Sequence, residues 1–112
     1  MLTIGVPSVI VELTKRLIER GGAVGFSEVM RALSDGTRRE ILGLLKNRPM
    51  SATEIVSHFS MSAPAISKHL SILKEAGLVR CRRERKFMVY ELSASVLEEV
   101  ILWLQDMKEE PK

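Results

Sequence analysis

SAPAISKHLSILKEAG, residues Ser62 to Gly77, is the stretch on which the reading of this chain turns. Ser62 is a good helix N-cap, because a hydroxyl accepts a hydrogen bond from one of the N–H groups left unpaired in a first helical turn. Ile66, Leu70 and Leu73 follow at i, i+4 and i+7, one stripe of an α-helix and so its buried face. Gly77 closes the helix, since glycine adopts the left-handed conformation common at helix C-termini without steric cost. Away from the stripe lie Ala63, Pro64, Ser67, Lys68, His69 and Ser71. Small side chains let such a face approach a DNA major groove. Hydroxyls and an imidazole reach base edges or phosphates there, and a lysine answers the backbone charge. An ordinary solvated helix face has the same composition, so the flanking sequence has to decide.

Upstream, Ser51-Ala52-Thr53-Glu54 has the S-x-x-E form of a capping box, in which two side chains each satisfy a backbone donor at a helix start. Ile55, Val56 and Phe59 give the short helix it opens an apolar side, and only Ser60-Met61 separates it from Ser62. Two short helices joined by a tight turn, the second with a small polar outer face, make a helix-turn-helix. Before the break at Asn47-Arg48-Pro49, Asp35 is placed to cap a helix from Thr37 to about Lys46, buried through Ile41, Leu42, Leu44 and Leu45. Arg38 and Arg39 fall in its first turn, where positive charge opposes the helix dipole. Each needs a partner, either a DNA phosphate or a nearby carboxylate such as Asp35 or Glu40. Phe26, Val29, Met30 and Leu33 form the apolar stripe of a preceding helix, Phe26 to Leu33. Residues 1–24 read as an N-terminal extension. Within it Ser8 can cap a segment to about Arg20 with Ile10, Leu13 and Leu17 on one face, ended by Gly21-Gly22. An isolated helix of that length is marginal in water unless it docks.

Downstream of Gly77 the pattern becomes extended. Leu78 to Arg82 and Phe87 to Leu92 are rich in β-branched and aromatic residues and flank Arg83 to Lys86, which reads as a hairpin. A hairpin directly after a recognition helix is a wing, and Arg83, Arg85 and Lys86 at its tip are placed to reach a minor groove or its phosphates. Edge strands also carry Lys and Arg merely to prevent pairing. Five basic residues in the seven from Arg80 to Lys86 exceed that need. Ser95 to Glu110 reads as a last helix opened by a second capping box, Ser95 with Glu98. Val96, Leu97, Val100, Ile101, Trp103, Leu104 and Met107 spread over more than one stripe, wider than one small core covers. The surplus suggests a symmetric dimer with Phe26, Val29, Met30, Val96, Val100, Trp103, Leu104 and Met107 at its interface. Two recognition helices would then meet half-sites one DNA turn apart. Mutual burial of this helix and the Phe26 helix within one subunit is the alternative.

A chain of 112 residues accommodates one domain with a modest core, here residues 25–110. Hydrophobic residues at 46% and charged residues at 28% are ordinary for a folded soluble chain. Net charge is only +3, from 17 Lys and Arg against 14 Asp and Glu, so its distribution carries the argument. The basic hairpin is followed by five acidic and two basic residues between Ser93 and Lys112. Cys81 is the one cysteine, which excludes an internal disulfide and fits a reducing compartment. With no apolar run long enough to cross a bilayer and no signal-peptide start, no membrane insertion and a cytoplasmic location are expected. An enzyme is not expected. Two histidines, one cysteine and no Gly-rich phosphate loop offer little to nucleophilic or metal chemistry, and Ser67 and His69, two apart on a helix, do not face each other.

The order ALSDGTRR (Ala32 to Arg39), Ile41-Leu42, SAPAISKHL (Ser62 to Leu70) and LKEAGLV (Leu73 to Val79) resembles the ArsR/SmtB winged-helix repressors, over about Phe26 to Leu104. Val96-Leu97 and Trp103 are most similar to the SdpR-type autorepressors of that family. The resemblance implies a homodimer that binds an inverted-repeat operator and represses transcription until a signal releases it. Metal-sensing members carry a Cys-x-Cys pair where Ser51 and Thr53 stand here. A second family site, of Asp, two His and Glu, falls on Ala94, Val96, Met107 and Glu110. Zinc and soft metals need several nitrogen or thiolate ligands converging, so no metal and no cofactor are expected. Gly36 replaces the proline usual in the family's Asp-Pro-Thr-Arg, which removes a fixed φ. Arg85 replaces the glycine usual at the wing turn and incurs a steric penalty if φ is positive there.

The expected fold is mainly α with a β-hairpin wing, a winged helix-turn-helix in the order α-α-α-α-β-β-α, dimerised through its terminal helices. The expected contacts to double-stranded DNA come from Arg38, Ser62, Ala63, Pro64, Ser67, Lys68, His69, Ser71, Arg83, Arg85 and Lys86. The competing reading is a winged helix that serves as a protein-interaction module. Such a module has no reason to keep a basic wing beside a small-residue recognition helix.

Overall fold

The structure, a computed structural model, describes residues 23–109; the helix expected from Ser8 to Arg20, and Glu110, lie outside the described residues. In chain order the elements are α1 (Ala23–Leu33), α2 (Gly36–Asn47), β1 (Met50–Ser51), α3 (Ala52–Ser57), α4 (Ala63–Glu75), β2 (Val79–Glu84), β3 (Phe87–Leu92) and α5 (Ala94–Lys108). The caps explain most of these boundaries. Asp35 accepts from the Arg38 N–H at 3.1 Å and opens α2. At α3 the Ser51 hydroxyl accepts from the Glu54 N–H and the Glu54 carboxylate from the Ser51 N–H, both at 3.1 Å, so the expected box is complete. Ser62 accepts from the Ala65 N–H at 3.2 Å and opens α4. At the far end Gly77 has φ 80°. The Gly77 N–H reaches the Lys74 carbonyl and the Leu78 N–H the Leu73 carbonyl, both at 3.0 Å, the two bonds of a Schellman motif.

α5 begins differently from expectation. Its N-cap is Ser93, without a side-chain cap bond, and the box of Ser95 with Glu98 does not form. The sheet is the reason. The β2–β3 ladder ends with Val79 opposite Leu92, and the Ser93 N–H donates to the Leu78 carbonyl at 2.9 Å, so the chain turns into the helix at once. A short strand was not foreseen either. β1 pairs antiparallel with β3, Met50 opposite Tyr90 and Ser51 opposite Val89, giving a three-stranded sheet in the order β1-β3-β2.

The core draws on every helix. Ile41, Ile55, Ile66, Leu70, Leu73, Leu78, Val29 and Val96 are fully buried, each contributing on the order of 1.5–3 kcal/mol of transfer free energy against the chain entropy lost. Three residues expected at a dimer surface therefore lie inside: Val29, Val96 and Val100 are at most 4% exposed. Val96, Val100, Trp103 and Met107 follow one another along a single stripe of α5. The stripe runs past the end of the core, so its first two members sink while Trp103 and Met107 emerge at 36% and 64% exposure. Phe26 packs on Trp103 with ring centroids 5.1 Å apart and planes tilted by 57°, an edge-like contact within the subunit. Met30, Ile101 and Leu104 remain exposed beside it. Burial within one subunit and a surplus apolar face are thus both present.

Candidate nucleic-acid interface

α4 presents the face its sequence implies. Ile66, Leu70 and Leu73 anchor it to the core, and Ser62, Ala63, Pro64, Ser67, Lys68 and Ser71 are all exposed. None of these extends far except Lys68, so an approaching surface can come close to the helix. Pro64 sits in the first turn, where its missing N–H leaves no bond unmade.

His69 and Arg38 stand apart from that face. His69 is half-buried and Arg38 is only 8% exposed. The Arg38 guanidinium donates from Nε to the Ala32 carbonyl at 2.9 Å and from Nη2 to the Arg31 carbonyl at 3.1 Å, and its Nη1 lies 3.2 Å from His69 Nδ1. Arg39 likewise donates to the Leu33 carbonyl at 2.8 Å. These carbonyls belong to the last turn of α1, which has no helical partners and carries the negative end of the helix dipole. The two arginines in the first turn of α2, where they oppose its dipole, serve the end of α1. The Arg38 side chain thus meets two carbonyls and an imidazole rather than the carboxylate weighed from sequence, and these internal contacts occupy the guanidinium that was expected at a phosphate.

The wing is a two-residue hairpin. Glu84 pairs with Phe87, leaving Arg85-Lys86 as the turn, and Arg85 has φ 58°. A positive φ at the first turn position matches the right-handed twist of the strands and is usually met by glycine. The basic run divides in two. Arg80 and Arg82 lie 3.6 and 3.0 Å from the Glu91 carboxylate, and Arg82 also pairs with Glu84 at 2.8 Å. Arg83, Arg85 and Lys86 make no ion pair among the described residues, and Lys86 Nζ stands 5.6 Å from the centre of the exposed Phe87 ring. The sequence contained a signal for this division. A two-residue turn fixes the register, and the register sets Arg80 opposite Glu91.

Elsewhere, among the described residues, no three His, Cys, Asp or Glu side chains converge as metal ligands would. Ser51, at one family metal position, is committed to the α3 cap. Cys81 is half-buried opposite Tyr90, whose phenol is pushed above its ordinary value first by burial and then by the neighbouring thiol. No described helix is long and apolar enough to cross a membrane.

Comparison with known proteins bears on the same span. The family model for bacterial regulatory protein, arsR family, matches residues 35–80, from the cap of α2 through the helix-turn-helix into β2. The transcriptional repressor SdpR of Bacillus subtilis is 45% identical over 78 residues, which span 70% of this chain and 87% of that protein. Among solved structures, an ArsR-like transcriptional regulator from Rhodococcus sp. RHA1 superposes with a TM-score of 0.72 at 30% identity, over 76% of this chain and 78% of that one. A homodimeric winged helix-turn-helix DNA-binding domain from Mycobacterium bovis, a possible ArsR-family regulator, gives 0.63 at 25% identity, over 77% and 82%. With its helix-turn-helix and the caps of α2, α3 and α4 inside the matched region, this chain is a winged helix-turn-helix protein and belongs to the arsR family of bacterial regulatory proteins.

Proposed function

We propose that this protein is a transcriptional repressor that acts as a homodimer on an inverted-repeat operator in double-stranded DNA. One observation carries the reading: the exposed small-residue face of α4 is followed directly by a wing whose tip holds three cations, Arg83 on its strand and Arg85 and Lys86 in its turn, without acidic partners among the described residues. Ser62, Ala63, Pro64, Ser67, Lys68 and Ser71 address the major groove, where hydroxyls and close backbone approach read base edges. Arg83, Arg85 and Lys86 lie on the flanking phosphates or in the minor groove. Met30, Ile101, Trp103, Leu104 and Met107 supply the apolar surface for the second subunit, as the homodimeric relative supports. A partner of this kind implies residence in the bacterial cytoplasm, where the DNA is.

The test is selection of DNA by the purified protein from a random library, followed by fluorescence anisotropy on the selected site across a salt series. A preferred inverted repeat bound by two chains, far tighter than random DNA and with a steep salt dependence, supports the reading. Equal, weak binding to every sequence sinks it in favour of a protein-interaction module.

A further inference from the structure

Three helices meet at the Arg38 guanidinium. Two of its nitrogens hold the terminal carbonyls of α1, its backbone starts α2, and its third nitrogen touches His69 on α4. A guanidinium only donates and does not deprotonate in proteins, so His69 Nδ1 must be the acceptor. The imidazole is therefore neutral, with its proton on Nε2. Arg38 cannot swing out to a phosphate without stripping the Ala32 carbonyl and an imidazole of their donor, a loss in a site that is 8% exposed, whereas the Arg31 carbonyl keeps the N–H and hydroxyl of Ser34.

We infer that Arg38 is a positioning residue which, through Nδ1 of His69, sets the recognition helix against α1, and that His69 supports operator binding through this bond rather than by reading a base. For its consequence at DNA the inference rests on the repressor reading above; the bond itself does not. The bond matters for recognition because of what α1 carries. Phe26 packs against Trp103 of α5, and Met30, one turn further along α1, is exposed, so on the dimer reading α1 belongs to the side of the subunit that faces its partner. A fixed link from that side to α4 fixes the separation of the two recognition helices in a dimer, on which half-site spacing depends. A lysine keeps the charge of Arg38 but has one nitrogen, which cannot span two carbonyls and a ring.

The experiment compares His69→Asn, His69→Gln, His69→Ala and Arg38→Lys on the DNA selected by the unaltered protein. An asparagine amide oxygen falls near the place of Nδ1, whereas glutamine reaches toward that of Nε2. His69→Ala, His69→Gln and Arg38→Lys are expected to lose about tenfold in operator affinity while binding random DNA unchanged. His69→Asn is expected to restore most of what His69→Ala loses, and the Arg38→Lys/His69→Ala double variant to lose no more than either single one. Rescue by glutamine and not asparagine would overturn the inference in favour of base reading. Nitrogen NMR of the His69 ring at about pH 8, where an ordinary imidazole is neutral, gives a readout that needs no DNA. A proton on Nε2 in the unaltered protein, reverting to mixed tautomers in Arg38→Lys, supports the bond. A proton on Nδ1 overturns it whatever the binding data say. If the tautomer is as expected but no DNA sequence is preferred, the repressor reading fails and the bond stands.

Discussion

Arg85 combines a strained backbone with a useful charge. A left-handed conformation costs a non-glycine residue about 1–2 kcal/mol, and glycine would lose about 0.4–1 kcal/mol of that gain to its looser unfolded state. Arg85→Gly should therefore raise unfolding free energy by roughly 0.5–1 kcal/mol in urea titration while weakening DNA binding, since it removes one of the wing cations proposed to meet phosphate. A fall in both would mean the turn carries no strain. Lys68 is the single long cation on the outer face of α4. Lys68→Ala should weaken binding to all sequences alike and flatten the slope of log affinity against log salt by about one. An unchanged slope would remove Lys68 from the phosphate contacts. Arg38 shows what residue type alone leaves open. Its place in a first turn announced a need for a partner, but the partner turned out to be the end of another helix.

At the level of helices and strands, the caps link sequence to stability most directly. Ser51→Ala removes the acceptor for the Glu54 N–H and should lower stability by about 1 kcal/mol, read by thermal or urea unfolding. The acidic partners make the same caps sensitive to pH. Glu54 is held below the ordinary carboxylate range first by the side-chain bond from Arg48 at 2.9 Å, then by the Ser51 N–H. Asp35 is held below its range chiefly by the Arg38 N–H. A carboxylate whose folded value is depressed contributes stability that is fully present above its unfolded value. That contribution fades as pH drops below about 4.5 and is gone once the folded value is passed. Stability should thus fall below about pH 4.5, and Asp35→Asn with Glu54→Gln should flatten that fall in urea titrations across pH. A slope unchanged by both substitutions would assign the acid sensitivity to other carboxylates.

For the molecule as a whole, the division of α5 between core and surface decides how two subunits can meet. Val96 and Val100 hold the helix to its own subunit, leaving Ile101, Leu104 and Met107 at 51%, 49% and 64% exposure. Leu104→Glu should leave the monomer's stability within about 0.5 kcal/mol, as for a typical surface change, yet convert the proposed dimer to monomers in sedimentation. Operator binding should then fall steeply, because each half-site contact loses its tethered twin. A variant that stays dimeric would move the interface elsewhere on the surface.

The helix-turn-helix, its two caps, the Gly77 stop and the basic hairpin tip were legible because each signal lies within a few residues of chain. An N-cap bond spans three residues, a buried stripe repeats every three or four, and a tight turn fixes its own strand register. Charge pairing across the hairpin was legible in principle from that register. The β1 strand, the start of α5, the partners of Arg38 and the burial of Val29, Val96 and Val100 were not. Met50 meets Tyr90, and Arg38 meets His69 from 31 positions away, so no local pattern distinguishes these contacts from exposure. An apolar stripe states that a helix face avoids water. Whether its own core or a second subunit covers that face depends on how far the core extends, which is settled only when all the elements pack together.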